Sequence, residues 1–196
     1  MKVTLLHITA NATELIEDAG RTAWASSGRK SEGSDSVFIG RLIHLGHLSV
    51  LEHATATFRI EDISRACSHQ VVRHRLCSCT QRSQRYVNEQ SFEYVMPASI
   101  ASHLTACTSF TRAMNYARMM YRELRRMGIP KEDARFVLPN ATRTEIVITA
   151  NLRQWRHMIE LRTSKHAQWE IREVMMAVLR ILKDEVPAVF LDFGIV

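Results

Sequence analysis

Apolar and polar positions alternate along KVTLLHIT (2–9), the pattern of a half-buried strand, and the spacing then widens to a helical period over residues 11–26, with Asn11 or Thr13 placed to cap it. SSGRKSEGSD (26–35) breaks the pattern with Ser, Gly and charges of both signs, and is the one strongly loop-like segment. Residues 36–46 return to helical spacing, and ATATFRI (54–60) alternates small or apolar with polar residues as a strand does. Asp62 is placed to cap a helix running to about Arg73, followed by an irregular loop and a short extended segment around Tyr86. A long helix is expected from Ala98 to Met127, bounded by Pro97 and Gly128, with Ile100, Leu104, Phe110, Met114, Ala117 and Leu124 on one broad face. TEIVITA (144–150) reads as a strand, residues 151–163 as a helix, and 166–186 as a last helix stopped before Pro187. The pattern therefore predicts one mixed α/β domain over residues 1–196, with no internal repeat and no linker.

Composition supports that picture: the chain is 46% hydrophobic and 23% charged, as soluble globular proteins are, and no apolar run approaches the roughly 18 residues of a membrane span. The opening MKVTLLHITA resembles a first strand more than a signal peptide, so a cytoplasmic protein with no membrane partner is expected. Cys67, Cys77, Cys79 and Cys107 form no C-x-x-C pair and are expected to be reduced thiols. His44, His47, Glu52 and His53 cluster in HLGHLSVLEH without the spacing of a zinc motif, so no metal is expected.

Charge changes the picture more. The formal net charge is +6, and the basic residues are 21 Arg against 5 Lys, which favours planar, bidentate contacts with phosphates or carboxylates over a diffuse cationic surface. No acid occurs between Asp62 and Glu89, whereas Arg65, Arg73, Arg75, Arg82 and Arg85 all do. Within RHRLCSCTQRSQRY (73–86), Arg73, His74, Arg75, Ser78, Ser83 and Arg85 offer donors to a phosphate, and Gln81 and Gln84 offer amides for a base edge. The chain lacks both the G-x-G-x-x-G and the G-x-x-x-x-G-K-[ST] turn, so any nucleotide is held by side chains and loops. A basic RNA-binding module is the alternative, weakened because Tyr86 is the only aromatic in the stretch for stacking a base.

These residues also carry a resemblance. Arg73, His74 and Arg75 followed by seven residues and Ser83 reproduce the RHR-x7-S signature of flavin-dependent thymidylate synthases, and Arg85 and Tyr86 complete its S-x-R-Y ending. GHLSVLEH (46–53), ARFVLP (134–139) and NLRQWRHMIELRTSKHAQWEI (151–171) are similar to further segments of that family, in the same order. The resemblance implies the family's α/β fold and a homotetramer with active sites between subunits. It also implies conversion of dUMP to dTMP, with methylenetetrahydrofolate as carbon donor, FAD as mediator and NADPH as reductant. A third reading, after the RNA-binding module, is a flavoprotein of this fold that has lost or changed its methyl acceptor.

Carried over by position, Arg73, His74 and Arg75 match FAD contacts, as do Ser49, Gln81, Asn151, Leu152, Arg153 and His157. Gln70, Val71, Val72 and Arg73 border dUMP; Gln81, Arg82, Ser83, Gln84 and Arg85 form the loop that holds its phosphate and sugar from a neighbouring subunit, and Arg135 adds a contact from that chain. Arg162 matches the catalytic arginine that contacts the uracil ring and helps ionise it at N3, where a fixed cation stabilises developing negative charge. Glu52 and His53 read as structural residues with a polar partner. Thr80 and Arg82 depart from the family pattern, Arg82 by adding charge to the dUMP loop.

Overall fold

The computed structural model describes residues 1–194. Along the chain, strand β1 (Lys2–Ile8) leads to helices α1 (Ala12–Ala23) and α2 (Ser34–His44), then strand β2 (Thr55–Ser64), helix α3 (Arg65–Val71) and strand β3 (Cys77–Gln81). Helices α4 (Ala98–Ala101), α5 (Leu104–Arg126) and α6 (Lys131–Ala134) precede strand β4 (Arg143–Asn151), and helices α7 (Leu152–Thr163), α8 (Trp169–Glu185) and α9 (Pro187–Phe190) follow it. The strands form one mixed-order antiparallel sheet, β1–β2–β4–β3, so the fold is mixed α/β. Among the described residues, no helix is long and apolar enough to cross a membrane.

The described residues group into two compact units, one of residues 1–60, 72–79 and 147 onward, the other of 61–71 and 80–146. In the first unit Trp155 sits at the centre of the core: it is fully buried, meets the Phe58 ring edge-on at 5.0 Å, and donates its indole N–H to the carbonyl of Ala56 at 3.0 Å. That bond satisfies the indole inside apolar packing, where an unpaired N–H costs roughly 1–3 kcal/mol. Ile148 on β4, Leu152 and Ile159 on α7, and Val174 and Val178 on α8 complete the packing, all without exposed surface. In the second unit Tyr121 of α5 is fully buried and its hydroxyl accepts from the Glu89 N–H at 3.3 Å, while Arg118 donates twice to the Phe92 carbonyl, at 2.9 and 2.7 Å. These bonds tie the irregular segment after β3 to the long helix.

Several expectations from the pattern are corrected. Asp62 does not cap a helix: β2 runs through it to Ser64 with Asp62 in the left-handed region at φ 60°, and the Ser64 hydroxyl instead accepts from the Cys67 N–H at 3.0 Å at the start of α3. Residues 77–81 are strand rather than loop, and Tyr86 lies in a turn, its N–H bonded to the Ser83 carbonyl. The expected helix from Ala98 to Met127 is two, broken at Ser102–His103, where the His103 ring accepts from the Ala106 N–H and caps α5; Leu104 is consequently 84% exposed. The segment 26–35 contains a 3₁₀ turn at Ser27–Arg29 and the first residues of α2, and Pro187 opens α9 rather than only closing α8.

Candidate active site

Helix α7 follows directly from β4, and the junction is fixed by Asn151, whose side-chain oxygen accepts from the Gln154 N–H at 2.8 Å. The helix buries Leu152, Trp155, Met158 and Ile159, which leaves Arg153, His157 and Glu160 in a row on its exposed face, spaced three and four apart. The segment 73–76 leaves α3 and lines the same groove, which has a volume of about 1070 Å³. That is at the upper end of the roughly 300–1,000 Å³ of small-molecule and cofactor sites. Arg153 pairs with Glu52 at 2.6 Å, giving Glu52 the polar partner its position called for. Arg156 forks onto Asp192 at 2.7 and 2.6 Å, and this pairing holds the Asp192 carboxyl below the usual carboxylate range. Arg75, in contrast, has no acidic partner among the described residues and is an open cation on the groove wall.

Beside this groove, His74 and Arg162 are joined side chain to side chain. His74 is only 6% exposed, and the Arg162 Nε–H donates to its Nε2 at 3.0 Å. Burial, with the electrostatic influence of Arg162 and then His157 adding to it, pushes the imidazole down to about 4. The ring is therefore neutral at physiological pH, accepts through Nε2 and carries its proton on Nδ1. The terminal nitrogens of Arg162 are left without a partner among the described residues, beside a hollow of about 500 Å³ also lined by His157, Glu160, Leu161 and His166. A guanidinium held by one edge with the other edge open is suited to a carbonyl or ring nitrogen that gains negative charge.

The second unit holds another cluster of arginine and polar side chains. Gln81 donates its amide to Ser68 at 2.6 Å and Thr144 at 3.3 Å, and the Ser83 hydroxyl accepts from the Arg85 N–H at 3.2 Å, which shapes a turn at the start of the loop. Arg82 faces the buried Glu89 at 3.6 Å, an ion pair that braces the loop. Arg85 pairs with Glu132 at 2.6 Å, and Arg135 donates to the Glu132 carbonyl at 3.0 Å. Arg65 stands close enough to Arg135 that burial and the like charge together lower its pKa. The family resemblance assigns Arg65 no role; the acid-free run from Asp62 to Glu89 is the signal that includes it.

Other positions fall differently. Val71 and Leu152 are fully buried, Gln84 is nearly so and Gln70 half-buried, whereas Val72 and Ser49 are exposed. The Leu152 N–H is taken by the carbonyl of Ala54, and Ser49 lies one residue from the groove-lining Leu48. All four cysteines are free thiols. Burial, then hydrogen bonding to Cys77, pushes the Cys79 thiol up to about 12, so it is protonated at neutral pH and a poor nucleophile. Among the described residues no three His, Cys, Asp or Glu side chains converge as metal ligands.

A mixed α/β fold carrying an arginine-rich groove and a separate arginine loop places this chain in one class: it belongs to the thymidylate synthase complementing protein family, whose model matches residues 4–188. Relatives named flavin-dependent thymidylate synthase bear this out. That of Geobacter sulfurreducens is 44% identical over 202 residues, covering 99% of this chain and 87% of the relative. That of Pyrococcus abyssi is 42% identical over 189 residues, covering 91% and 78%, and that of Mycobacterium sp. strain JLS is 42% identical over 202 residues, covering 92% and 80%.

Proposed function

We propose that this enzyme methylates dUMP to dTMP, taking the carbon from methylenetetrahydrofolate and the electrons from NADPH by way of FAD. The observation that carries the proposal is the groove of about 1070 Å³ between residues 73–76 and the exposed face of α7. Its donor set fits a flavin dinucleotide. Arg73, Arg75 and Arg153 supply cations for the pyrophosphate, and His157 supplies a flat polar face. Asn151 and Gln154 supply amides. Bound FAD would supply hydride transfer, which no side chain of the chain provides. Arg162, held through its Nε by neutral His74, directs its free edge toward the uracil ring and stabilises negative charge that develops there.

Arg65, Arg85 and Arg135 are the cations for the dUMP phosphate, with Ser83 beside them, and the Arg85–Glu132 pair is the contact that phosphate would replace. In this reading residues 1–196 act as a single catalytic domain within a cytoplasmic homotetramer, and the loop at Gln81–Arg85 and Arg135 serve a site completed by another subunit. Most arginines are matched to acids or carbonyls, as at Arg82, Arg143, Arg153 and Arg156, which leaves shaped sites and speaks against an open RNA-binding surface.

The test is direct. The purified protein is expected to show the absorption of oxidised flavin near about 450 nm. It is also expected to form dTMP only when dUMP, methylenetetrahydrofolate and NADPH are all supplied. Protein that stays colourless after incubation with FAD and makes no dTMP overturns the proposal.

A further inference from the structure

A further cavity in the first unit, about 750 Å³, lies between α1 and α2 and shares no residue with the groove described above. Its chemistry is unusual for a surface hollow. Trp24 is 69% exposed and Val37 78% exposed, and the Phe38 ring below them is covered by the Arg21 guanidinium at 4.6 Å. Arg21 is itself neutralised by the buried Glu17 at 2.6 Å, and Ser34 at the start of α2 donates to the same carboxylate at 2.7 Å, so this floor is fixed. Arg29 and Arg41 face the hollow with no acidic partner among the described residues, and no carboxylate lines it. His47 stands at its edge, one residue before Leu48, which lines the proposed flavin groove.

Resting on the function proposed above, we propose that this cavity binds the phosphorylated adenosine end of the nicotinamide dinucleotide phosphate that reduces the flavin. An aromatic base finds an indole to stack on, with Phe38 forming the floor. A 2′-phosphate and a pyrophosphate find two uncompensated guanidinium groups. The short step along the chain from His47 to Leu48 provides the continuity a dinucleotide needs to extend from this cavity to the flavin groove.

Adenosine 2′,5′-bisphosphate reproduces that end of the cofactor without its redox chemistry, and its binding to the flavin-loaded protein is read by calorimetry. Trp24→Ala, and Arg29→Ala combined with Arg41→Ala, alter exposed positions. Each is expected to weaken bisphosphate binding by about tenfold or more, the usual consequence of losing a charge-assisted or stacking contact. Each is also expected to raise KM for NADPH while leaving the affinity for dUMP and KM for methylenetetrahydrofolate unchanged. Unaltered bisphosphate affinity, or a KM change that falls on the folate instead, overturns the assignment. The two proposals fail separately: a protein that makes dTMP but whose variants bind the bisphosphate normally refutes this cavity alone, whereas absence of dTMP synthesis with bisphosphate bound at Trp24 refutes the reaction and leaves the cavity.

Discussion

At the scale of single residues, the contact between Arg162 and His74 combines positioning with electrostatics. Arg162→Ala is expected to lower dTMP formation by on the order of 10² to 10³, the range found when one group that stabilises transition-state charge is removed. The flavin absorption of the variant should persist, because the groove's other cations remain; turnover near that of the parent would take Arg162 out of the chemistry. His74 adds a pH dependence whose direction follows from its lowered pKa of about 4. Well above about pH 6.5 the ring is neutral in both folded and unfolded chains and contributes no pH dependence. As pH falls below that, the unfolded chain takes up a proton that the folded chain refuses until about 4, so the unfolded state is favoured progressively across this window. The loss amounts to on the order of 3 kcal/mol at the acid end. Urea midpoints measured at pH 7 and pH 4.5 should therefore separate more for the parent than for His74→Gln, and equal separations would show that the buried ring is not the source.

At the scale of elements, the close approach of α1 to α2 depends on a glycine. A Cβ placed on Gly20 would lie 2.6 Å from Cε1 of Phe38, closer than carbon atoms pack, and a tight 3.1 Å from Cδ1 of Leu42. Alanine is favoured over glycine inside a helix by about 1 kcal/mol, yet overpacking costs roughly 1–3 kcal/mol, so Gly20→Ala should destabilise the protein on balance. Denaturant titration of Gly20→Ala with and without Phe38→Leu would show partial recovery in the double variant; additive effects would mean that the ring is not what the methyl group meets.

The elements that the hydrophobic pattern anticipates are those whose own residues carry the period: β1, α1, β4 and α7 stand within two or three residues of their expected places. The misplaced ones depend on contacts that no local pattern encodes. Strand β3, written CSCTQ, has little apolar content and exists through pairing with β4, which continues in the bond from the Arg82 N–H to the Glu145 carbonyl. Likewise, the left-handed Asp62 lets β2 continue where a cap was expected, and one ring-to-backbone bond at His103 divides a continuous helical period. The groove was legible because Arg73–Arg75 and Arg153–His157 are compact motifs. The partners that set their states, Glu52 for Arg153 and His74 for Arg162, are 101 and 88 residues distant and emerge only from the fold.

At the scale of the whole molecule, Arg162 belongs to one compact unit and Arg135 to the other, and the proposed tetramer brings them to one dUMP from different chains. Arg135→Ala and Arg162→Ala should then each be inactive, because every site of either homo-oligomer lacks one arginine. A mixed assembly behaves differently. When the two variants are unfolded together in equal amounts and refolded, a given site takes an intact Arg162 in about half of cases and, independently, an intact Arg135 from its neighbour in about half, so about one site in four is complete. Activity is expected to return to roughly that fraction of the parent, as it cannot if both residues must come from one chain, since no chain in the mixture carries both. Refolded material that is tetrameric and flavin-loaded yet inactive would refute the shared site, and the direct assay would decide separately whether the reaction itself is the one proposed.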